Sequence, residues 1–292
     1  MALLVITRML TLRDIKVLHL EPTDVCQAAC ALCAREIDSN FRKDRQHHLS
    51  MDQILKVFDE GKIQQLDKMF MCGNYGDPAA AKHTLDIFRE FRQINPNIVL
   101  GMNTNGAIQT TFWWYELAKI LNQSNDYVVF SIDGLEYTNA TYRRNVNWAK
   151  LMGNARAFID AGGSAHWDML VYRHNQHEVD ACEQHARDLG FTWFRAKVSK
   201  RGFTESLQFP IGWQPITVNT NVVNCHALRE RSVYMDAQGH LVPCCWLGAR
   251  QKDFVTDVDT IPTQDPVCAS TCGSTGAGTA FDQQWQREVA LC

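Results

Sequence analysis

The stretch Glu21–Glu36 reads EPTDVCQAACALCARE. It puts Cys26, Cys30 and Cys33 within eight residues, spaced C-x3-C-x2-C. It follows a short alternating run, Val17–Leu20 (VLHL), that reads as a strand. Three thiols this close suit either zinc or an iron–sulfur cluster. Zinc sites usually present cysteines in C-x-x-C pairs and close with four ligands. Here a fourth is missing nearby: His47 and His48 are the next candidates on the C-terminal side, in a basic loop. A cubane cluster on three thiolates leaves one iron without a protein ligand, open to a substrate or cofactor.

Beyond this stretch, strand-like and helix-like segments alternate. Lys68–Cys72, Ile98–Met102, Tyr127–Ile132, Ala165–Val171 and Phe191–Lys197 read as strands. Between them Ser50–Gly61, Ala80–Ile94, Phe112–Leu121, Val146–Ala161 and His177–Leu189 read as helices, started by cap residues and stopped by Gly or Asn-Pro. About six β/α units predict a parallel sheet with its reactive groups at the C-terminal strand ends. After Lys200 the chain turns rich in Gly, Pro, Asn and Thr up to Asn224. A small hairpin (Arg231–Asp236 with His240–Pro243) and a helical tail (Phe281–Ala290) are expected beyond.

The bulk numbers fit this class. The chain has 292 residues, 46% apolar and 21% charged, with a formal net charge of −3. No strong field points to nucleic acid or an anionic membrane. No apolar run approaches the roughly 18 residues of a membrane span. Met1–Arg8 lacks the basic n-region and cleavage site of a signal peptide, and reads as a lead-in to the first strand. Eleven cysteines, clustered rather than scattered, favour metal binding in a reducing cytoplasm.

The C-x3-C-x2-C spacing after a first strand, followed by β/α alternation, resembles the radical S-adenosylmethionine (SAM) superfamily over residues 17 to 200. Further matches follow in order. Gly76-Asp77-Pro78 resembles a GGEP-type segment, with Asp77 where Glu is usual. Asn103-Thr104-Asn105-Gly106 resembles NTNG. Ser131-Ile132-Asp133-Gly134 with Tyr142-Arg143 resembles SIDG…YR, and Asn175 to Glu178 resembles N-x-x-E. The resemblance implies that Cys26, Cys30 and Cys33 hold a [4Fe–4S] cluster. It also implies that SAM is bound by Leu32, Gly76, Asp77, Pro78, Asn103 and Asn105, together with Ser131, Asp133, Arg143 and Asn175. Leu32 stands where the family often has an aromatic, and an aliphatic side chain can also pack an adenine. On local grounds alone, Gly76-Asp77-Pro78 is also a turn, and Asn175 with Glu178 also has the spacing of a capping box.

Cys225, Gly239 and Cys244 resemble the C-x(9–15)-G-x4-C opening of the SPASM and Twitch extensions of that superfamily. With Cys268 and Cys272 this implies one auxiliary [4Fe–4S] cluster of Twitch type. Cys244 is chosen over its neighbour Cys245 because it satisfies the G-x4-C spacing. A four-cysteine zinc site is the alternative for this set. Cys72, Cys182 and Cys292 read as thiols outside both centres.

The expected fold is a partial (β/α)6 TIM-like barrel with a small C-terminal iron–sulfur extension. Its divisions are 1–200 (radical SAM core), 201–224 (linker) and 225–292 (auxiliary cluster). The resemblance implies reductive cleavage of SAM to a 5′-deoxyadenosyl radical and hydrogen abstraction, most readily from a small molecule that is oxidised. Modification of a ribosomal peptide is the second possibility, and a non-catalytic iron–sulfur or zinc protein the third. An electron donor such as flavodoxin or ferredoxin is implied. On strand Ala165–Val171, alternate residues of His166, Trp167 and Asp168 face the barrel interior; Tyr172 and Arg195 are further candidates for substrate contact.

Overall fold

The computed structural model describes residues 11–38, 41, 46–248 and 265–291. The lead-in Met1–Arg8 and Cys292 lie outside them. Six strands run parallel and pair in chain order: β1 (Val17–Leu20), β2 (Lys68–Met71), β3 (Val99–Thr104), β4 (Tyr127–Ser131), β5 (Ala165–Val171) and β6 (Trp193–Val198). One side chain in two points to a helix-covered core. Leu18, Met69, Leu100, Phe130 and Trp167 meet the helices Thr84–Ile94, Thr111–Ile120 and Trp148–Asp160 there. The alternate residues line the other, inner face.

The expected elements form, with local amendments. Ser50–Gly61 is not one helix but two, Met51–Leu55 and Glu60–Gln64, because Asp59 caps a new start by accepting from Lys62 N at 3.0 Å. Ala80–Ile94 opens with a 3-10 turn, Pro78–Ala80, before Thr84–Ile94. Gly190, at φ 88, ends the helix Val179–Leu189 in the left-handed conformation.

The remaining strands are β7 (Asn219–Val223), β8 (Ser232–Met235), β9 (Leu241–Val242), β10 (Gly273–Thr275), β11 (Gly278–Thr279) and β12 (Arg287–Ala290). The hairpin is β8–β9, and β8 adds to the main sheet parallel to β1. The expected helical tail is instead the strand β12, antiparallel to β6. Phe281, Trp285 and Val289 have helical spacing, but the open edge of β6 offers a ladder of backbone partners and takes the segment. The main sheet therefore runs β12-β6-β5-β4-β3-β2-β1-β8-β9 and does not close. It is a partial barrel whose two edges are both supplied from the C-terminal third. β11, β10 and β7 make a separate small sheet.

Candidate functional site

At the C-terminal ends of β1 to β6 the chain leaves a cavity of about 280 Å³. Cys26, Cys30 and Cys33 form part of its wall. Their loop hangs on a distant segment: Ala29 N donates to Arg144 O at 2.9 Å and Ala31 N to Tyr142 O at 3.3 Å. Cys26 Sγ accepts from Ala28 N at 3.4 Å and Asn105 Nδ2 at 3.6 Å. Burial, then the nearby Asp77 carboxylate, pushes the Cys26 thiol up to about 12. Burial raises Cys30 too, against the pull of Arg143, which hydrogen-bonds to it. Thiols in such a place lose their protons when a metal cation binds the sulfur and displaces them, not by free ionisation. Three thiols that sense one another beside open space fit a cluster with one free corner.

The segment after β2 forms the facing wall, and its geometry explains its glycines. A Cβ on Gly76 would lie 1.8 Å from Thr23 O, and one on Gly73 would lie 2.5 Å from Gly76 O. The segment is pinned by Glu21, the first residue of the cysteine stretch. Its buried carboxylate accepts from Tyr75 N at 2.7 Å, Gly76 N at 3.0 Å and the Tyr234 hydroxyl on β8. Burial raises Glu21 to about 7, although those three donors oppose the shift. Asn74 Nδ2 adds a bond to Cys245 O at 2.8 Å. Nothing in the local pattern singled out Glu21; its role appears only when β8 pairs with β1.

Asp77 lines the cavity, but its carboxylate is fully used. It accepts from Ala79 N at 2.9 Å, Thr104 Oγ1 at 2.8 Å, and Asn105 N and Nδ2 at 2.7 Å each. The shorter acid thus ties the β2 loop to the end of β3. Burial raises its pKa, and these bonds lower it. Asn103, Asn105, Ser131 and Arg143 also line the cavity. Leu32 lines an adjoining chamber, and Pro78 begins the buried 3-10 turn.

Asp133 and Asn175 are completely buried behind this wall. Asp133 binds Arg143 Nε at 2.6 Å and Leu170 N at 2.6 Å. Burial works against the Arg143 charge, but Asp133, Cys30 and Tyr142 together outweigh it, so the pKa rises. Asn175 Nδ2 donates to Asp133 O at 2.8 Å and Leu170 O at 2.9 Å, while its Oδ1 accepts from Tyr172 N at 2.7 Å. The capping-box alternative does not form: Asn175 makes no side-chain cap, and Glu178 turns to Leu135 N at 3.0 Å. Both residues position the wall.

The inner face carries His166 and Asp168, as the alternation required, while Trp167 points into the core. Tyr172 is buried against Tyr142 rather than on the inner face. Arg195 grips Asp168 with Nε at 2.7 Å and Nη2 at 2.9 Å. Lys197, Lys200, Arg201, Gln284 and Trp285 line the cavity without having been expected. The basic run KVSKR at the end of β6 was a visible signal. Gln284 and Trp285 arrive only through β12.

The chamber next door, about 580 Å³, shares Asn74, Lys200, Arg201 and Trp246 with the first. Its wall also includes Cys245, Val267 and Thr271. Here Cys225, Cys244, Cys268 and Cys272 come together. Cys268 and Cys272 are one turn apart on the helix Pro266–Cys272. Cys225 and Cys272 share a hydrogen bond that lowers the first to about 6 and raises the second. Cys244 and Cys268 sense the same group. Backbone N–H groups are aimed at three of the sulfurs: Ala227 and Leu228 at Cys225, Trp246 and Leu247 at Cys244, and His226 at Cys272. Such donors stabilise bound thiolates and tune cluster potentials. Cys245, whose thiol burial pushes up, has Cys244, Cys72 and Glu21 as its titratable neighbours. Among the described residues, no three His, Cys, Asp or Glu side chains are gathered at the spacing of a single bound metal ion. No helix among them is long and apolar enough to cross a membrane.

The Radical SAM superfamily model matches residues 20–188. No curated protein sequence matches the chain. Among solved structures, Streptococcus suis SuiB bound to precursor peptide SuiA aligns with a TM-score of 0.60 and 12% identity, covering 87% of this chain and 66% of that one. SuiB bound to S-adenosylmethionine gives 0.59 and 11%, covering 88% and 68%. anSMEcpe with bound AdoMet and Cp18Cys peptide gives 0.56 and 13%, covering 78% and 73%. This chain therefore spans just under two thirds of the length of the SuiB chain in its peptide complex. At these identities the likeness is one of fold.

Proposed function

This chain belongs to the radical SAM superfamily, and we propose that it abstracts hydrogen from a substrate held between two cysteine centres. The family implies SAM and a [4Fe–4S] cluster. The observation that carries the reading is the meeting of Cys26, Cys30 and Cys33 with Gly76, Asn105 and Arg143 around one cavity. When bound, the cluster and SAM supply reductive cleavage to methionine and a 5′-deoxyadenosyl radical. The chain's own residues then have distinct tasks. The three thiolates hold the cluster. The backbone at Gly76, fixed by Glu21, receives the methionine amino group. Arg143, fixed by Asp133, supplies a cation for the carboxylate. Asn103 and Ser131 offer polar contacts, and Leu32 apolar cover. The adjoining chamber holds the substrate away from bulk water.

Cys225, Cys244, Cys268 and Cys272 would hold a closed auxiliary cluster of SPASM/Twitch type, serving electron transfer. That supports net oxidation of a small molecule, with flavodoxin or ferredoxin as the electron donor in a reducing cytoplasm. A second reading, modification of a peptide, is supported by the peptides bound in the SuiB and anSMEcpe structures. Iron analysis after anaerobic reconstitution tests the two-centre reading. The wild type should hold roughly eight irons, and the double variant Cys268→Ala/Cys272→Ala, which leaves only two thiols at the second centre, roughly four. The double variant should still form 5′-deoxyadenosine with dithionite. Zinc in place of iron, or an unchanged iron count in the variant, would refute it.

A further inference from the structure

The charges facing the first cavity do not balance. Its lining carries two carboxylates, Asp77 and Asp168, and the three cysteines Cys26, Cys30 and Cys33, whose thiolate charges a bound cluster would largely offset, against five cations. Asp168 is answered by Arg195, and Asp77 by the hydrogen bonds from Thr104 and Asn105. Of the cations, Arg143 is held through Nε by Asp133 and, in the proposed function, serves the SAM carboxylate, and Arg35 donates to the carbonyl of Tyr75 with its guanidinium 5.1 Å from the Phe41 ring. Lys197, Lys200 and Arg201 remain. Among the described residues none of the three has a carboxylate within ion-pair distance. Lys197 Nζ donates to Gln284 Oε1 at 2.6 Å and lies 4.1 Å from the centre of the Trp285 ring. Lys200 Nζ donates to Ala280 O at 2.8 Å. Both are neutral partners, and an ammonium has three donors to satisfy.

The position of the three matters as much as their charge. Lys200 and Arg201 line both the first cavity and the adjoining chamber, and Lys197 lines the first. A solvated basic strand end would scatter its cations outward; these three line one cavity, with Trp285 beside Lys197. We propose that the substrate carries an anionic group, a carboxylate or a phosphate, which Lys197, Lys200 and Arg201 bind where the first cavity meets the adjoining chamber. The inference rests on the radical SAM reading and adds the substrate's charge to it. Cations that lack a fixed counter-charge favour a ligand that brings one, and paired donors orient carboxylate or phosphate oxygens.

The test is a fluorescence titration of the reconstituted, anaerobic holoenzyme at constant ionic strength, with inorganic phosphate in one arm and glutarate in the other. Saturable quenching that is lost in Trp285→Phe is expected in at least one arm, and the responding arm identifies the group. The midpoint should rise at least tenfold in Lys197→Met/Lys200→Met and return to within threefold in Lys197→Arg/Lys200→Arg. No saturation in either arm of the wild type, which needs no variant to fold, would overturn the proposal. So would an unchanged midpoint in the methionine variant. SAM cleavage by the wild type is measured alongside. Cleavage without anion binding sinks only this inference, whereas anion binding without cleavage removes its claim to be a substrate site.

Discussion

In reconstituted Cys26→Ala protein, 5′-deoxyadenosine formation falls to the level of a protein-free dithionite control, a loss of at least about 10³-fold, because groups that act as a unit fail together. The change removes one of three thiols facing the cavity, and with it the weak bonds its sulfur accepts from Ala28 N and Asn105 Nδ2, but leaves the loop's backbone attachments to the Tyr142–Arg144 segment. Ala29 and Ala31 still donate to Arg144 and Tyr142. The variant should therefore fold, with a circular dichroism spectrum like that of the wild type, and keep roughly four irons in its second centre. The assay reads product by mass spectrometry. Cleavage retained within tenfold of the wild type would remove Cys26 from the ligand set.

The second large effect is on SAM binding. Gly76→Ala adds a methyl group 1.8 Å from the Thr23 carbonyl. That contact is with backbone, so no side chain can swing aside. The segment cannot retreat freely either. Its amides at Tyr75 and Gly76 are bound to Glu21, and leaving a buried donor without an acceptor costs about 1–3 kcal/mol. Moving the segment would break both bonds and shift the wall of the cavity facing the three cysteines. SAM affinity should fall at least 100-fold, equivalent to about 2.7 kcal/mol, while iron content stays at the wild-type level. Isothermal titration of the unreduced holoenzyme measures this. An affinity within threefold of the wild type would show that the segment does not receive SAM.

The sequence was legible where its signals are local. The order of strands and helices followed from periodicity and caps, because each is written within about ten residues. The clusters at Cys26–Cys33 and Asn103–Gly106 lie beside strand ends and could be assigned to one end of the sheet. The resemblance put Cys268 and Cys272 with the spaced pair Cys225 and Cys244, and in the structure each of the four lies within electrostatic reach of another of the set. What could not be read is long-range. β8 joins β1 across more than 200 residues of chain, and parallel pairing leaves no mark in either segment. Glu21 therefore passed unnoticed inside the stretch that mattered most. The tail around Trp285 carried a helical spacing that a free strand edge overrode. Asn175 matched a motif and a cap, yet its buried amide is spent on Asp133, Leu170 and Tyr172.

The central claim is that three thiolates hold a cluster whose remaining iron is left for SAM. Electron paramagnetic resonance of the reduced, reconstituted wild-type protein, recorded with and without SAM, tests it most directly. The account predicts that SAM alters the signal of one cluster and leaves the other unchanged, and that the altered signal is the one missing from Cys26→Ala. A spectrum indifferent to SAM, in protein carrying its full complement of iron, would contradict it.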